Sequence, residues 1–191
     1  MSKIVIAHAV EMHPDGVWYP YLRDELTTRG HQVEIPALPD PFKPEAGPWL
    51  ETLRAAAGDG EDTVLVGHSL GAVDILRLLQ QHQGTPFRGV LLVAGMVHEV
   101  GYEALDHFFE PWFDWPRIRA AARGFRTLVA ADDPVLVPSP FEHAATLVSQ
   151  LGAIARVEAT GGHYPIWSPE IPAVLPALPQ ALELVLELLG A

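Results

Sequence analysis

The chain has no cysteine. Disulfides, thiolate catalysis and cysteine-ligated zinc are therefore excluded, and a reducing cytosol is a compatible setting. Basic residues are also scarce: 12 Lys and Arg stand against 24 Asp and Glu, for a formal charge of −12. So acidic a surface repels phosphate backbones and anionic lipid, which argues against nucleic acid and membrane as partners. The apolar C-terminal stretch is broken by Pro172, Pro176, Pro179, Glu183 and Glu187, so it cannot span a bilayer. The opening apolar run at residues 3–7 lacks the length and the small-residue cleavage site of a signal peptide and reads as a first strand. A cytoplasmic protein is expected. Repeats and low-complexity linkers are absent too, and 191 residues fit one domain, 1–191. With 49% apolar and 19% charged residues, the chain can build one sizeable core.

Short apolar runs alternate with longer helical patterns. Strands are expected at residues 3–7, 32–35, 63–66, 89–93, 126–130 and 155–158. Helices are expected at 18–29, 44–57, 72–81, 140–151 and 178–189. Gly30 suits the left-handed position just past the first of these helices, and the second is expected to end near Gly58. In the last helix Gln180, Glu183 and Glu187 form one narrow polar stripe, so most of its circumference is expected to be buried. Strand–helix alternation implies parallel pairing, and continuously apolar strands imply a sheet covered on both faces. The expected fold is α/β: a three-layer α/β/α sandwich on a mostly parallel sheet of about six strands. In such sheets, sites form beyond the carboxyl ends of the strands.

At one such end stands Gly67-His68-Ser69-Leu70-Gly71, which fits G-x-S-x-G. The pattern alone is weak, but here a strand leads into it and a helix leaves it. A serine on that sharp turn has its hydroxyl pushed into the open, and the helix N-terminus beneath favours developing negative charge. The flanking glycines let strand and helix pass closely. The bland alternative is an ordinary glycine-flanked turn. Asp74, one turn into the helix, is expected to be solvated or capping.

A serine hydroxyl needs a base, and the base needs a group that fixes its tautomer. In α/β-hydrolases these follow in the order Ser, Asp or Glu, His. Asp132-Asp133-Pro134 lies just past the fifth strand, and Gly161-Gly162-His163 follows the sixth. Paired glycines can carry His163 over the sheet edge. Only one aspartate can face it, and Asp133 is preferred over Asp132. Of the other histidines, His8 and His68 should pack or hydrogen-bond. His13, His31, His82 and His143 read as surface or loop residues, while His98 and His107 could line a pocket. No histidine pair has the helical spacing of metal ligands, so no metal is expected.

At these residues the sequence resembles the small serine hydrolases related to retinoblastoma-binding protein nine and their compact bacterial relatives. The likeness runs through His8, Trp18-Tyr19, Leu38-Pro39-Asp40-Pro41, Gly67-His68-Ser69, Pro111-Trp112, Asp132-Asp133-Pro134 and Gly161-Gly162-His163. It implies a minimal α/β-hydrolase domain with little or no lid, and a Ser69–Asp133–His163 triad with the second aspartate as acid. Chemistry on such a triad requires no metal or organic cofactor. In these relatives the first strand usually runs into a glycine-rich turn, whereas here His8-Ala9-Val10-Glu11 follows. That turn should supply the second oxyanion donor beside the Leu70 N–H, and Val10 N–H is the expected one. Ala9 would restrict the turn if the site needs positive φ there.

The expected function is hydrolysis of a small ester-type acyl substrate through an acyl-serine. The rivals are a weakened hydrolase acting as a binding or scaffold protein, and thioester or amide cleavage on the same triad. A nucleotide-binding protein is a distant reading, because residues 7–11 contain no glycine for a phosphate loop. Two aromatic groups could wall a pocket or simply pack the core: Phe108, Phe109, Trp112, Phe113 and Trp115, and Tyr164 with Trp167.

Overall fold

The computed structural model of the chain describes residues 1–165 and 175–190. Six strands form one parallel sheet: β1 (Lys3–Ala7), β2 (Gln32–Glu34), β3 (Thr63–His68), β4 (Gly89–Val93), β5 (Phe125–Ala130) and β6 (Ile154–Glu158). Their spatial order is β2-β1-β3-β4-β5-β6, so β3 lies near the middle, with Val66 paired to Ile6 on one side and Leu91 on the other. The helices are α1 (Tyr19–Thr28), α2 (Ala46–Ala57), α3 (Leu70–Gln81), α4 (Trp115–Ala120), α5 (Pro140–Leu151) and α6 (Pro179–Leu189).

Successive strand residues point to opposite faces, and both faces are apolar. Val5, Leu65, Leu92 and Val129 join residues of α2, α3, α4 and α5 in one core. Ile4, Ile6, Val64, Val66, Leu91 and Leu128 join α1 and α6 in the other. This is the expected three-layer sandwich. Helix α1 stops where Gly30 takes φ +83°, and α5 starts on Ser139, whose Oγ accepts the Phe141 N–H at 3.2 Å. The two edge strands depart from the expectation of buried strands. Along β6, Ile154, Ala155 and Val157 are exposed, and Arg156 bridges Glu158 and Glu183, which places charge at an unpaired sheet edge.

Two elements have no counterpart in the sequence reading: a 3₁₀ turn at Glu103–Phe109 and the short helix α4, both between β4 and β5. Both are brief. Among the described residues, no helix is long and apolar enough to cross a membrane.

Candidate active site

Ser69 sits between β3 and α3 with φ 54° and ψ −120°. A non-glycine residue in that region costs roughly 1–3 kcal/mol, and it persists only where the surroundings enforce it. They do. The Ser69 N–H donates to the Val93 carbonyl at 3.0 Å, pinning the turn to the end of β4. A Cβ on Gly67 would lie 2.5 Å from the Ala72 Cα, and one on Gly71 would collide with the Ala7 and His8 carbonyl oxygens. Only hydrogen fits on either flank, so the helix begins at Leu70, two residues before the expected start.

From β5 and β6 come the other two groups. The Ser69 Oγ lies 2.8 Å from His163 Nε2. His163 Nδ1 lies 2.8 Å and 3.1 Å from the two oxygens of Asp133. A carboxylate accepts, so Nδ1 carries the hydrogen and Nε2 is left to accept the serine proton. The Asp133 side chain is fully buried, and its Oδ1 also accepts the N–H groups of Val135 and Leu136 at 2.9 and 3.3 Å. Asp132 instead accepts the Gly162 N–H at 2.8 Å. Both aspartates thus hold the histidine turn, one through the ring and the other through the backbone. Gly162 has φ 54°, which lets the chain double back there.

Behind β1, four consecutive N–H groups face different fates. Ala9 N–H donates to the Tyr19 hydroxyl at 3.0 Å, Glu11 N–H to Pro41 at 2.8 Å and Met12 N–H to Ala9 at 3.3 Å. Val10 N–H has no acceptor among the described residues. Leu70, as the first residue of α3, has no intrahelical acceptor for its own N–H. The positive φ in the turn belongs to Glu11, at 60°, and not to Ala9. Alanine at position 9 therefore imposes no strain, contrary to the restriction considered from sequence.

A cavity of about 500 Å³ opens onto Ser69 and His163. Its walls include Val10, Met12, Met96, Val100, Leu105 and Val135. Apart from His68 and His163 at the serine, its ionisable side chains are Glu11, Lys43, Glu45, Tyr102 and His107, and all five are exposed, so they belong to the rim.

A family model for serine hydrolases matches residues 4–169. The chain belongs to the serine hydrolase family. YdeN of Bacillus subtilis, which bears the name of a hydrolase, is 30% identical over 166 residues, covering 85% of this chain and 86% of YdeN. Serine hydrolase RBBP9 of Rattus norvegicus is 27% identical over 151 residues, covering 77% of each chain. The crystal structure of the ydeN gene product superposes with a TM-score of 0.89 at 27% identity, over 100% of both chains.

Several side chains of this serine hydrolase stand elsewhere than the sequence suggested. None of Phe108, Phe109, Trp112, Phe113 and Trp115 lines the cavity at Ser69. Phe108 and Phe109 are core, Phe113 and Trp115 pack against it, and Trp112 is 79% exposed. Arg77 organises them: its Nε donates to Phe108 O at 2.7 Å, its Nη1 donates to Pro111 O, and its Cζ lies 4.2 Å over the Phe113 ring. Tyr164 is buried in the core of the other face, and Trp167 lies outside the described residues. Of the two candidate pocket histidines, His107 lines the cavity and His98 stacks on His143 at 4.3 Å. His143 is fully buried rather than a surface residue. Asp74 is 1% exposed, neither solvated nor capping. Met12, Met96 and Val100 went unnoticed in the sequence, because apolar residues in loops carry no periodic signal.

Proposed function

We propose that this hydrolase cleaves small, uncharged acyl esters through an acyl-serine intermediate. Ser69 Oγ attacks the acyl carbonyl while His163 Nε2 takes its proton. Asp133 holds the imidazole in the tautomer that leaves Nε2 bare and stabilises the imidazolium that forms. The N–H groups of Leu70 and Val10 receive the oxyanion. His163 then protonates the departing alcohol, and a water activated by the same ring releases the acid. The unbroken line of contacts from Ser69 Oγ through His163 to Asp133, at 2.8 Å per step, carries this reading. The apolar cavity walls favour a hydrophobic acyl or alcohol group over a charged one, because a buried charge there would lack a partner.

The test is turnover of p-nitrophenyl esters beside matched thioesters and amides, for the wild-type chain and Ser69→Ala. Loss of a triad member costs about 10⁴- to 10⁶-fold in kcat. Ester turnover that survives in Ser69→Ala refutes the assignment, and thioester or amide turnover well above ester turnover revises the substrate.

A further inference from the structure

Beneath the site lies a set of buried polar side chains that triad chemistry does not use. Trp18 and Tyr19, at the start of α1, are fully buried, and so is His68, the residue before the nucleophile. Trp18 Nε1–H donates to the Tyr164 carbonyl at 3.0 Å. His68 Nε2 lies 2.8 Å from the His163 carbonyl, and His68 Nδ1 lies 2.6 Å from the Tyr19 hydroxyl. That hydroxyl is also 3.0 Å from the Ala9 nitrogen.

The direction of every link is forced. A carbonyl only accepts, so His68 Nε2 carries a hydrogen. Burial, with help from the neighbouring His163 ring, pushes the His68 pKa down to about 3, so the ring is neutral and Nδ1 is bare. Nδ1 must then accept, so the Tyr19 hydroxyl donates to it. The same oxygen is free to accept the Ala9 N–H. The chain of donors runs from Ala9 through Tyr19 and His68 to the His163 carbonyl. Resting on the Ser69 reading above, we propose that Trp18, Tyr19 and His68 are positioning residues: a clamp that seats the Val10 oxyanion donor and the His163 base against Ser69 as one unit.

Aromatic packing alone would need none of these polar atoms, and burying them unpaired would be costly. Each is aimed at a backbone group beside a reacting atom. The Tyr19 hydroxyl takes up the Ala9 N–H, while the next one, on the cavity-lining Val10, has no acceptor among the described residues. Trp18 and His68 hold the two successive carbonyls of His163 and Tyr164, and Tyr164 is itself kept at φ 49°. One side of the clamp sets the oxyanion hole and the other sets the base.

Tyr19→Phe keeps the ring and deletes both links. With active sites counted by fluorophosphonate titration, its kcat should fall roughly 10- to 100-fold while KM stays within about 3-fold, because misplaced donors weaken the transition state more than substrate binding. At position 68, Gln keeps a donor for the His163 carbonyl and Leu does not, so His68→Gln should retain more kcat per titrated site than His68→Leu. Nitrogen-15 NMR of the wild-type histidine rings at neutral pH should show His68 protonated at Nε2 only. A wild-type kcat per site in Tyr19→Phe, equal losses in the Gln and Leu variants, or an Nδ1–H or charged His68 overturns the clamp. A wild-type chain with neither turnover nor probe labelling sinks the Ser69 reading instead, and the NMR result still decides the clamp.

Discussion

Helix α3 separates two regions that bury polar groups in opposite ways. At the strand-end rim, the buried histidines use both ring nitrogens. His8 donates through Nδ1 to Ala9 O at 2.9 Å and accepts Leu38 N–H at 3.0 Å. His143 donates through Nε2 to Val137 O at 2.9 Å and accepts Val97 N–H at 3.1 Å. With His68, these neutral rings stitch together the loops that frame Ser69. On the flank of α3, the groups are left incomplete. Neither oxygen of Asp74 has a partner among the described residues, nor has Arg77 Nη2. Burial pushes the Asp74 pKa up to about 8, against the pull of Arg54, and lowers that of Arg77 to about 10. The buried Tyr164 hydroxyl, beside His163, also lacks a partner among the described residues, so the contrast is one between the rim histidines and the polar side chains of α3. A half-paired histidine at the rim would let reacting atoms drift, whereas a half-paired group on the flank costs folding free energy without moving the site.

The sharpest way to break the comparison is at the rim. Asp133→Asn should lower kcat by about 10⁴-fold, since an amide cannot enforce the tautomer. If Asp133→Asn turns over like the wild type, the completed pairing there has no catalytic meaning.

The flank should answer in stability and with the opposite pH sign. Asp74 binds its proton more tightly in the folded chain, so its contribution is complete below pH 3.8 and is lost as pH rises toward 8. The lowered pKa of His68 acts the other way: its contribution is present above pH 6.5 and is lost as pH falls toward 3. Asp74→Asn should remove the alkaline loss, a difference on the order of 5 kcal/mol between pH 4 and 8. Urea unfolding of both chains at those two pH values measures it, and an unchanged pH slope contradicts the assignment. The smallest effect belongs to Asp132→Asn, which keeps an oxygen for the Gly162 N–H and should lose at most about 10-fold in kcat. A larger loss there than in Asp133→Asn would exchange the two aspartates.

Most of the architecture was legible because strands and helices alternate with clear punctuation, as at Gly30 and Gly58. The order of Ser69, Asp133 and His163 along the chain was equally readable, since each follows a strand. The 3₁₀ turn and α4 were not, because Pro111 and Pro116 interrupt any apolar period. Asp74 misled for a physical reason. A polar residue on a helix normally marks its wet face, but α3 leaves the middle of the sheet and is buried continuously from Leu70 to Leu79. The link from Tyr19 to His68 joins residues 49 positions apart, and no local pattern announces it. Trp18-Tyr19 stood out only through family resemblance.

The proposed chemistry requires that Ser69 Oγ be the nucleophile. Purified wild-type protein treated with a fluorophosphonate and mapped by tandem mass spectrometry should carry a single adduct on Ser69. An adduct on any other residue, or none under conditions that label a control serine hydrolase, would contradict it.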